Sequence, residues 1–423
     1  MPPTKYVPLI VSIILIIGVV SYALASVPPS SVPSSVTLRV GYPDSLDESD
    51  VSDLYAYSQI LPAEGINVIP TFYDAPPLSY KGLIAGQQDI SLVSSSSQFI
   101  GVSQGEQTTI VTCYSLAGTF LAIAGNGVTN PSQLLGGSVD DFGPGSQTRA
   151  LNLYWFAEAG VKTNTQGPVN GSVYLRASGG NVARVHDIET GVAQAIVVDD
   201  FVLADLQDPA VNNTAHHGPF HVLFFAPSDV ISVCYAVRDD WLNVPANQQV
   251  LVKWIAGITQ AQRYFISNPQ EAVTYAESQL PLTAPSEIQF VSTFYPGHYT
   301  YWPYGSYNLQ GPLSIDNLLT NTNNFQVIAG NIAAPVANAS VPYGVVNGGF
   351  ELQALQSLGP YQYPCQSWVD QTFINNVNAW VPPSLGSAPS HCSNSLVVAP
   401  PTFDVQGFAV APIQFTVDLF RPS

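Results

Sequence analysis

The sequence predicts an α/β protein built as two doubly wound α/β lobes with a ligand cleft between them, preceded by an N-terminal transmembrane segment. Three observations carry this expectation. The chain has 423 residues and is 46 % hydrophobic, which is too long for one core and calls for at least two compact units. From Thr37 onward, short apolar runs alternate with stretches of helical spacing, the pattern of a parallel sheet with helices on both faces. That alternation runs, starts afresh and then returns, so the chain is expected to leave one unit, build a second and come back.

The first thirty residues set the compartment. Tyr6 to Ala25 carries no charge and is long enough to cross a hydrocarbon core of about 30 Å as a helix. Lys5 and the amino terminus place its start inside. Ala23-Leu24-Ala25 also fits a small-x-small cleavage site, so residues 1–25 read as signal peptide or membrane anchor. Residues 26–37, rich in Pro and Ser, read as a solvated tether.

VTLRVGYP is the first strand, LYAYSQILPAEGI a helix stopped at Gly65, NVIPTFYD a strand, LSYKGLIAGQQ a helix, and DISLVSSSS a strand opening into a serine loop. TTIVTCYS and TFLAIAG follow as strands. NPSQLLGGSVDDFGPGSQTRALNLYWFAEAGV then gives a short helix, a strand, a Gly-rich turn and a long helix. GSVYLRAS, NVARVHDIETG, AQAIVVDD and FVLADLQD continue as strand, helix, strand and helix. FHVLFFAP and DVISVCYAVRDDWL lead into helical stretches over Pro245–Ile266, Pro269–Leu280 and Pro285–Tyr295.

Four cysteines in an exported chain predict two disulfides. Cys113 and Cys234 both lie in β-rich runs and Cys365 and Cys392 in the Pro-rich C-terminal part, so they are paired in that way.

LRVGYP, LIAGQQDISLVSSSSQFIGVSQG, NPSQLLGGSV before GPGSQTRALNLYWFAEAGV, ETGVAQAIVVDDF, and YAVRDDWL before a helix ending in ISNPQEA are collinear across Arg39 to Leu280. This stretch resembles the nitrate, sulfonate and taurine-type solute-binding proteins of ABC importers, a group that also includes thiamine-precursor binders. The resemblance implies a periplasmic-binding-protein type II fold, with lobe I at 38–118 and 231–377 and lobe II at 119–230. Residues 378–423, which end in the alternating VQGFAVAPIQFTVDLF, have no counterpart and read as a C-terminal extension. The implied function is a membrane-anchored or secreted extracytoplasmic receptor, a monomer, that captures a small anionic or heterocyclic molecule and works with an ABC permease. Hinges are expected near Gly118-Thr119 and Ser228 to Val230. Competing readings are a structural or adhesive surface protein and an exported enzyme on the same fold.

In doubly wound units ligands sit beyond the C-terminal ends of the strands. The candidate ligand-binding residues there are Tyr42, Ser94, Ser95, Ser96, Gly145, Ser146, Gln147, Thr148 and Asp199. GPGSQT has the form of an anion cradle at a helix N-terminus, and Ser146 can equally be a plain helix cap. Arg149 either neutralises an anion or lies on the solvent face of its helix. The serines offer hydroxyls to an oxyanion or form a solvated turn. Asp199 and Asp200 point to opposite sides of an extended segment, so at most one contacts ligand. The aromatic run from Tyr295 to Tyr307 can stack on an organic ligand or simply pack.

Charge narrows the partners. Eleven Lys and Arg against 29 Asp and Glu give −18, with no basic run to neutralise a phosphate backbone, so nucleic acid is not expected. Charged residues make up only 9 % of the chain, and a surface of neutral hydroxyls and amides suits an acidic medium, where carboxylates lose their charge. Sequons at Asn170, Asn212 and Asn338 are compatible with glycosylation. His216, His217 and His221 lack an acidic or cysteine partner, so no metal site is expected. GxSxG, HExxH, P-loop and CxxC motifs are absent, as is the Cys-rich motif of an enzyme in the thiamine-precursor branch, and neither catalysis nor a cofactor is expected.

Overall fold

The computed structural model describes residues 35–43, 50–116, 120–199, 202, 206, 211–226, 230–280, 315–358, 397–398 and 419–420. The apolar segment at 1–25 and its tether up to residue 34, Asp200, the aromatic run, Cys365 with Cys392, and the segments 117–119 and 227–229 lie outside the described residues. No helix among the described residues is long and apolar enough to cross a membrane.

The chain opens with β1 (Val36–Tyr42), followed by α1 (Val51–Tyr55), which continues as a π turn (Ala56–Ile60) and a 3-10 turn (Leu61–Glu64) before ending at Gly65. Next come β2 (Ile66–Phe72), α2 (Pro76–Ile84), β3 (Ile90–Ser94), α3 (Ser95–Ser103) and β4 (Thr108–Leu116). The second unit holds β5 (Phe120–Ala124), β6 (Ser138–Asp141), α4 (Gln147–Glu158), β7 (Thr163–Asn164), β8 (Val173–Ala177), α5 (Asn181–Glu189), β9 (Ala195–Asp199) and β10 (His221–Phe225). The chain then returns through β11 (Ile231–Arg238), α6 (Asp239–Leu242), α7 (Pro245–Ser267), α8 (Pro269–Gln279), α9 (Ile315–Ile328) and α10 (Gly349–Leu358). Two short strands, β12 (Val397–Val398) and β13 (Leu419–Phe420), pair antiparallel.

The strands form two sheets of order β2-β1-β3-β11-β4 and β10-β5-β9-β6-β8-β7. Neither is the all-parallel sheet that the alternation predicts. β11 runs antiparallel to both β3 and β4, and β5 runs antiparallel to β9 and β10. The reason is connectivity, because strands adjoining the passage from one sheet to the other enter or leave against the direction that the βαβ units impose.

Each sheet buries both faces, as its apolar strands require. In β5, Phe120, Ala122 and Ala124 face one cluster with Trp155 and Phe224, while Leu121 and Ile123 face another with Ile196 and Val198. Trp155 is fully buried and stacks on Phe224 at 5.6 Å between ring centroids. The first sheet divides in the same way between a cluster holding Val93, Ile110 and Ala236 and one holding Val40, Leu92 and Trp254. Helix α9 serves both units, since Leu318 and Leu319 join the core of the first and Phe325 and Ala329 that of the second.

Cys113 and Cys234 are bonded to each other, directly opposite on β4 and β11 and 121 residues apart in sequence. Closing so long a loop removes much entropy from the unfolded chain. Replacing both cysteines by serine should lower the unfolding free energy by about 2–5 kcal/mol. Denaturant titration of both proteins, with and without reductant, measures it, and the wild type should lose more stability to the reductant than the variant does.

Candidate functional site

The C-terminal ends of β3 and β6 bring two helix N-termini together. Ser94 caps α3, accepting from the Ser97 amide at 3.2 Å. Ser146 caps α4 by accepting from the Arg149 amide at 3.1 Å, and its hydroxyl donates to the Gly143 carbonyl at 2.7 Å. The two loops meet directly. Ser97 donates to the Gly145 carbonyl at 2.6 Å, with the Ser94 hydroxyl 3.2 Å from the same oxygen. Ser96 donates to Gln147 Oε1 at 2.8 Å and accepts from Gln326 of α9, also at 2.8 Å. The Ser95 hydroxyl lies 3.0 Å from Gln147 Oε1 and 2.6 Å from the Ile231 carbonyl. A seam of hydroxyls and amides therefore joins the sheets at their strand ends.

Gly145 is required at its position. Its φ is +83°, and a Cβ there would lie 3.4 Å from Pro77 of α2, on the other side of the seam. A side chain would be strained by the backbone, and its Cβ would stand in van der Waals contact with the other unit.

Asp141, at the end of β6, holds the turn in place. Its carboxylate accepts from Arg149 Nε at 2.7 and 2.9 Å, from Asn152 at 2.8 Å and from the Gly143 amide at 2.7 Å. Arg149 is thus neither on the solvent face nor available to a ligand's charge. It is buried against Asp141 and also donates to the Leu175 carbonyl. The neighbouring Asp140 points the other way and pairs with Arg176, which also bonds Asp187 at 2.6 Å. Burial pushes the Asp140 carboxyl up to about 6.

Asp199 stands at the end of β9, half-buried, and accepts from Asn181 Nδ2 at 2.8 Å. Asn181 opens α5 and also accepts from Arg184, whose guanidinium lies 3.9 Å from the centre of the Phe142 ring. These residues cluster at the strand ends of the second unit.

Tyr42 turns its ring into the first unit's core. Its hydroxyl donates to Asp53 at 2.8 Å and lies 2.5 Å from that of Tyr57, and Tyr235 bonds the same Asp53 oxygen. Burial raises all three phenols well above their usual range and lifts the Asp53 carboxyl to about 6. Of the candidates, Ser94, Ser95, Ser96, Gly145, Ser146, Gln147 and Thr148 come together, whereas Tyr42 is buried in the first unit's core and Asp199 stands apart at the end of β9. Ser97, the last of the four serines singled out in the sequence, joins the seam, whereas sequence reasoning missed Gln326, Pro77 and Asp141. Only Asp141 carried a local signal, the adjacent-acid pattern also present at Asp199-Asp200.

No protein-family model matches the sequence, and no curated protein matches it. Solved structures do. A Candida albicans protein with the generic periplasmic binding protein fold is 16 % identical, with 76 % of this chain and 95 % of that one covered and a TM-score of 0.53. A periplasmic sulfonate-binding protein of a putative ABC transporter from Methylobacillus flagellatus is 12 % identical, covering 77 % and 96 %, at 0.52. The periplasmic nitrate-binding protein of Synechocystis is 12 % identical, covering 76 % and 89 %, at 0.50. The fold is that of the periplasmic binding proteins, and the sulfonate- and nitrate-binding neighbours are of the type that the sequence motifs resemble.

Two outcomes follow from the geometry. Asp141→Asn leaves a buried guanidinium uncompensated and should cost about 3–5 kcal/mol of stability, whereas Ser146→Ala, which removes one cap, should cost about 1 kcal/mol. Chemical denaturation of the two variants ranks them. The second outcome concerns pH. Asp53 holds its proton up to about pH 6 when folded and up to only about 4 when unfolded. Its stabilising contribution is therefore complete below about pH 4 and is lost as pH rises through 6, on the order of 2–3 kcal/mol in all. Melting temperature should rise between pH 7 and pH 5, and Asp53→Asn should flatten that slope.

Proposed function

We propose that this chain is an extracytoplasmic solute-binding receptor of an ABC-type importer, held at the outer membrane face by residues 1–25, which closes two lobes on a small molecule and hands it to a membrane permease. The observation that carries this reading is the polar seam at the strand ends. The two units meet there through hydroxyls and amides rather than a continuous apolar core, the kind of contact that can open and close around a ligand. The fold shared with sulfonate- and nitrate-binding proteins supports it.

The cleft chemistry refines the reading. The arginines at the strand ends of the second sheet are engaged within the protein: Arg149 with Asp141, Arg176 with Asp140 and Asp187, and Arg184 with Asn181 and the Phe142 ring. An anionic or heterocyclic ligand would accordingly be held by backbone N–H groups and hydroxyls around Gly145 to Thr148, with the helix dipole of α4 contributing about 0.3–1 kcal/mol.

A panel of small sulfonates, nitrate and heterocycles should contain a compound that stabilises the protein by about 2.7 kcal/mol at 100 times its dissociation constant. Gly145→Val should abolish that shift, because a β-branched residue cannot hold the positive φ that shapes the turn. A panel without any stabilising compound, or a variant that binds as the wild type does, would count against the receptor reading.

A further inference from the structure

The three sequons differ sharply in what the folded chain does with them. Asn212 is half-buried, and its carboxamide oxygen accepts from the Phe220 amide at 2.8 Å. A Cβ on Gly218 would lie 3.0 Å from that oxygen, so the amide is packed against backbone. Asn338 is likewise half-buried, its carboxamide oxygen accepting from the Val346 amide at 3.0 Å and its main-chain carbonyl from Val345 at 3.2 Å. In both, the amide plane is fixed as a brace across a turn.

Asn170 is built differently. It is exposed, and among the described residues its side chain makes no hydrogen bond. It occupies a tight turn closed by the Ser172 amide on the Val169 carbonyl at 3.1 Å, with Gly171 at φ +82° as the second central residue. That combination is a type II turn, in which Gly takes the position that needs positive φ. A Cβ placed on Gly171 would meet nothing within 4 Å, so the turn stands clear of the protein. Ser172, the third residue of the sequon, is held at the turn's base by Asn164 Nδ2 at 2.7 Å.

We propose that Asn170 is an N-glycosylation site and that Asn212 and Asn338 remain unmodified. The donor is a lipid-phosphate-linked oligosaccharide. Asn170 Nδ2 forms a bond to the anomeric carbon, the bond from that carbon to the phosphate oxygen breaks, the lipid phosphate leaves with the electron pair, and the amide proton passes to a base of the transferring enzyme. The sugar would stand at the N-terminal end of β8, with the strand's five residues, about 17 Å, between it and the strand ends where α3 and α4 meet. It would cover the edge strand β7 and leave the cleft open. The inference rests on extracytoplasmic placement and is independent of what the cleft binds.

The test expresses the full chain behind an added secretion signal in a yeast host and maps the purified protein by peptide mass spectrometry after enzymatic glycan release in heavy-oxygen water. Isotope-labelled aspartate is expected at position 170 and unlabelled asparagine at 212 and 338. Asn170→Gln and Ser172→Ala should each remove the glycan, and Asn170→Gln should keep a wild-type melting temperature because the residue braces nothing. A bare Asn170 in secreted protein, or a glycan at 212 or 338, overturns the inference. Because the added signal drives secretion, either failure leaves the receptor reading untouched.

Discussion

The carboxylate of Asp141 is the constraint on which the strand-end architecture depends. Three groups converge on it: a buried guanidinium, a side-chain amide and the amide that starts the Gly-rich turn. A buried ion pair of this kind adds little net stability over an apolar substitute, and removing one partner is costly. Its value here is positional. With Asp141 in place, Gly145 can point its carbonyl at the serine loop and Gln147 can present its amide to two hydroxyls. The same bond ties up the guanidinium of Arg149 inside the protein. In a chain with eleven basic residues and 29 acidic ones, charge is spent on holding loops in place.

Much of the fold was legible in the sequence because it rests on local periodicity. Most strands and helices of both units, the stop at Gly65 and the pairing of Cys113 with Cys234 follow from apolar spacing, turn residues and the β-rich context of the two cysteines, whereas the serines read as a loop open helix α3 and α9 was not foreseen. What could not be read depends on partners far along the chain. Gln326 reaches Ser96 across 230 residues, and Tyr235 reaches Asp53 across 182. Arg149 looked like a surface or ligand-facing cation because its anchor, eight residues earlier, becomes a neighbour only when β6 and α4 pack together. Tyr42 follows a strand-end glycine, as a cleft residue would, yet its ring has a buried carboxylate to satisfy. The mixed strand directions were hidden for a similar reason, since periodicity reports burial and not direction.

The buried acids give the scarcity of surface charge a physical counterpart. Asp53 and Asp140 are both lifted to about 6 by burial, and Asp239 is raised as well for the same reason. A protein with few charged residues and with interior carboxyls that favour their protonated form gains where external carboxylates are neutralised. The Asp53 cluster achieves this with phenols instead of cations. Its tyrosines stay protonated and can donate at any ordinary pH, so no ion pair is lost in acid.

The bridge between Cys113 and Cys234 also has a mechanical side. It fastens β4, which precedes the second sheet, to β11, which follows it, at positions already paired in the ladder. Two strands so joined behave as a ribbon that resists sliding of one edge past the other while remaining free to twist and bend. Sliding of β4 along β11 is thereby blocked where the chain passes to the second sheet and returns from it. The covalent link therefore fixes the register between the strand that leaves for the second sheet and the strand that comes back from it.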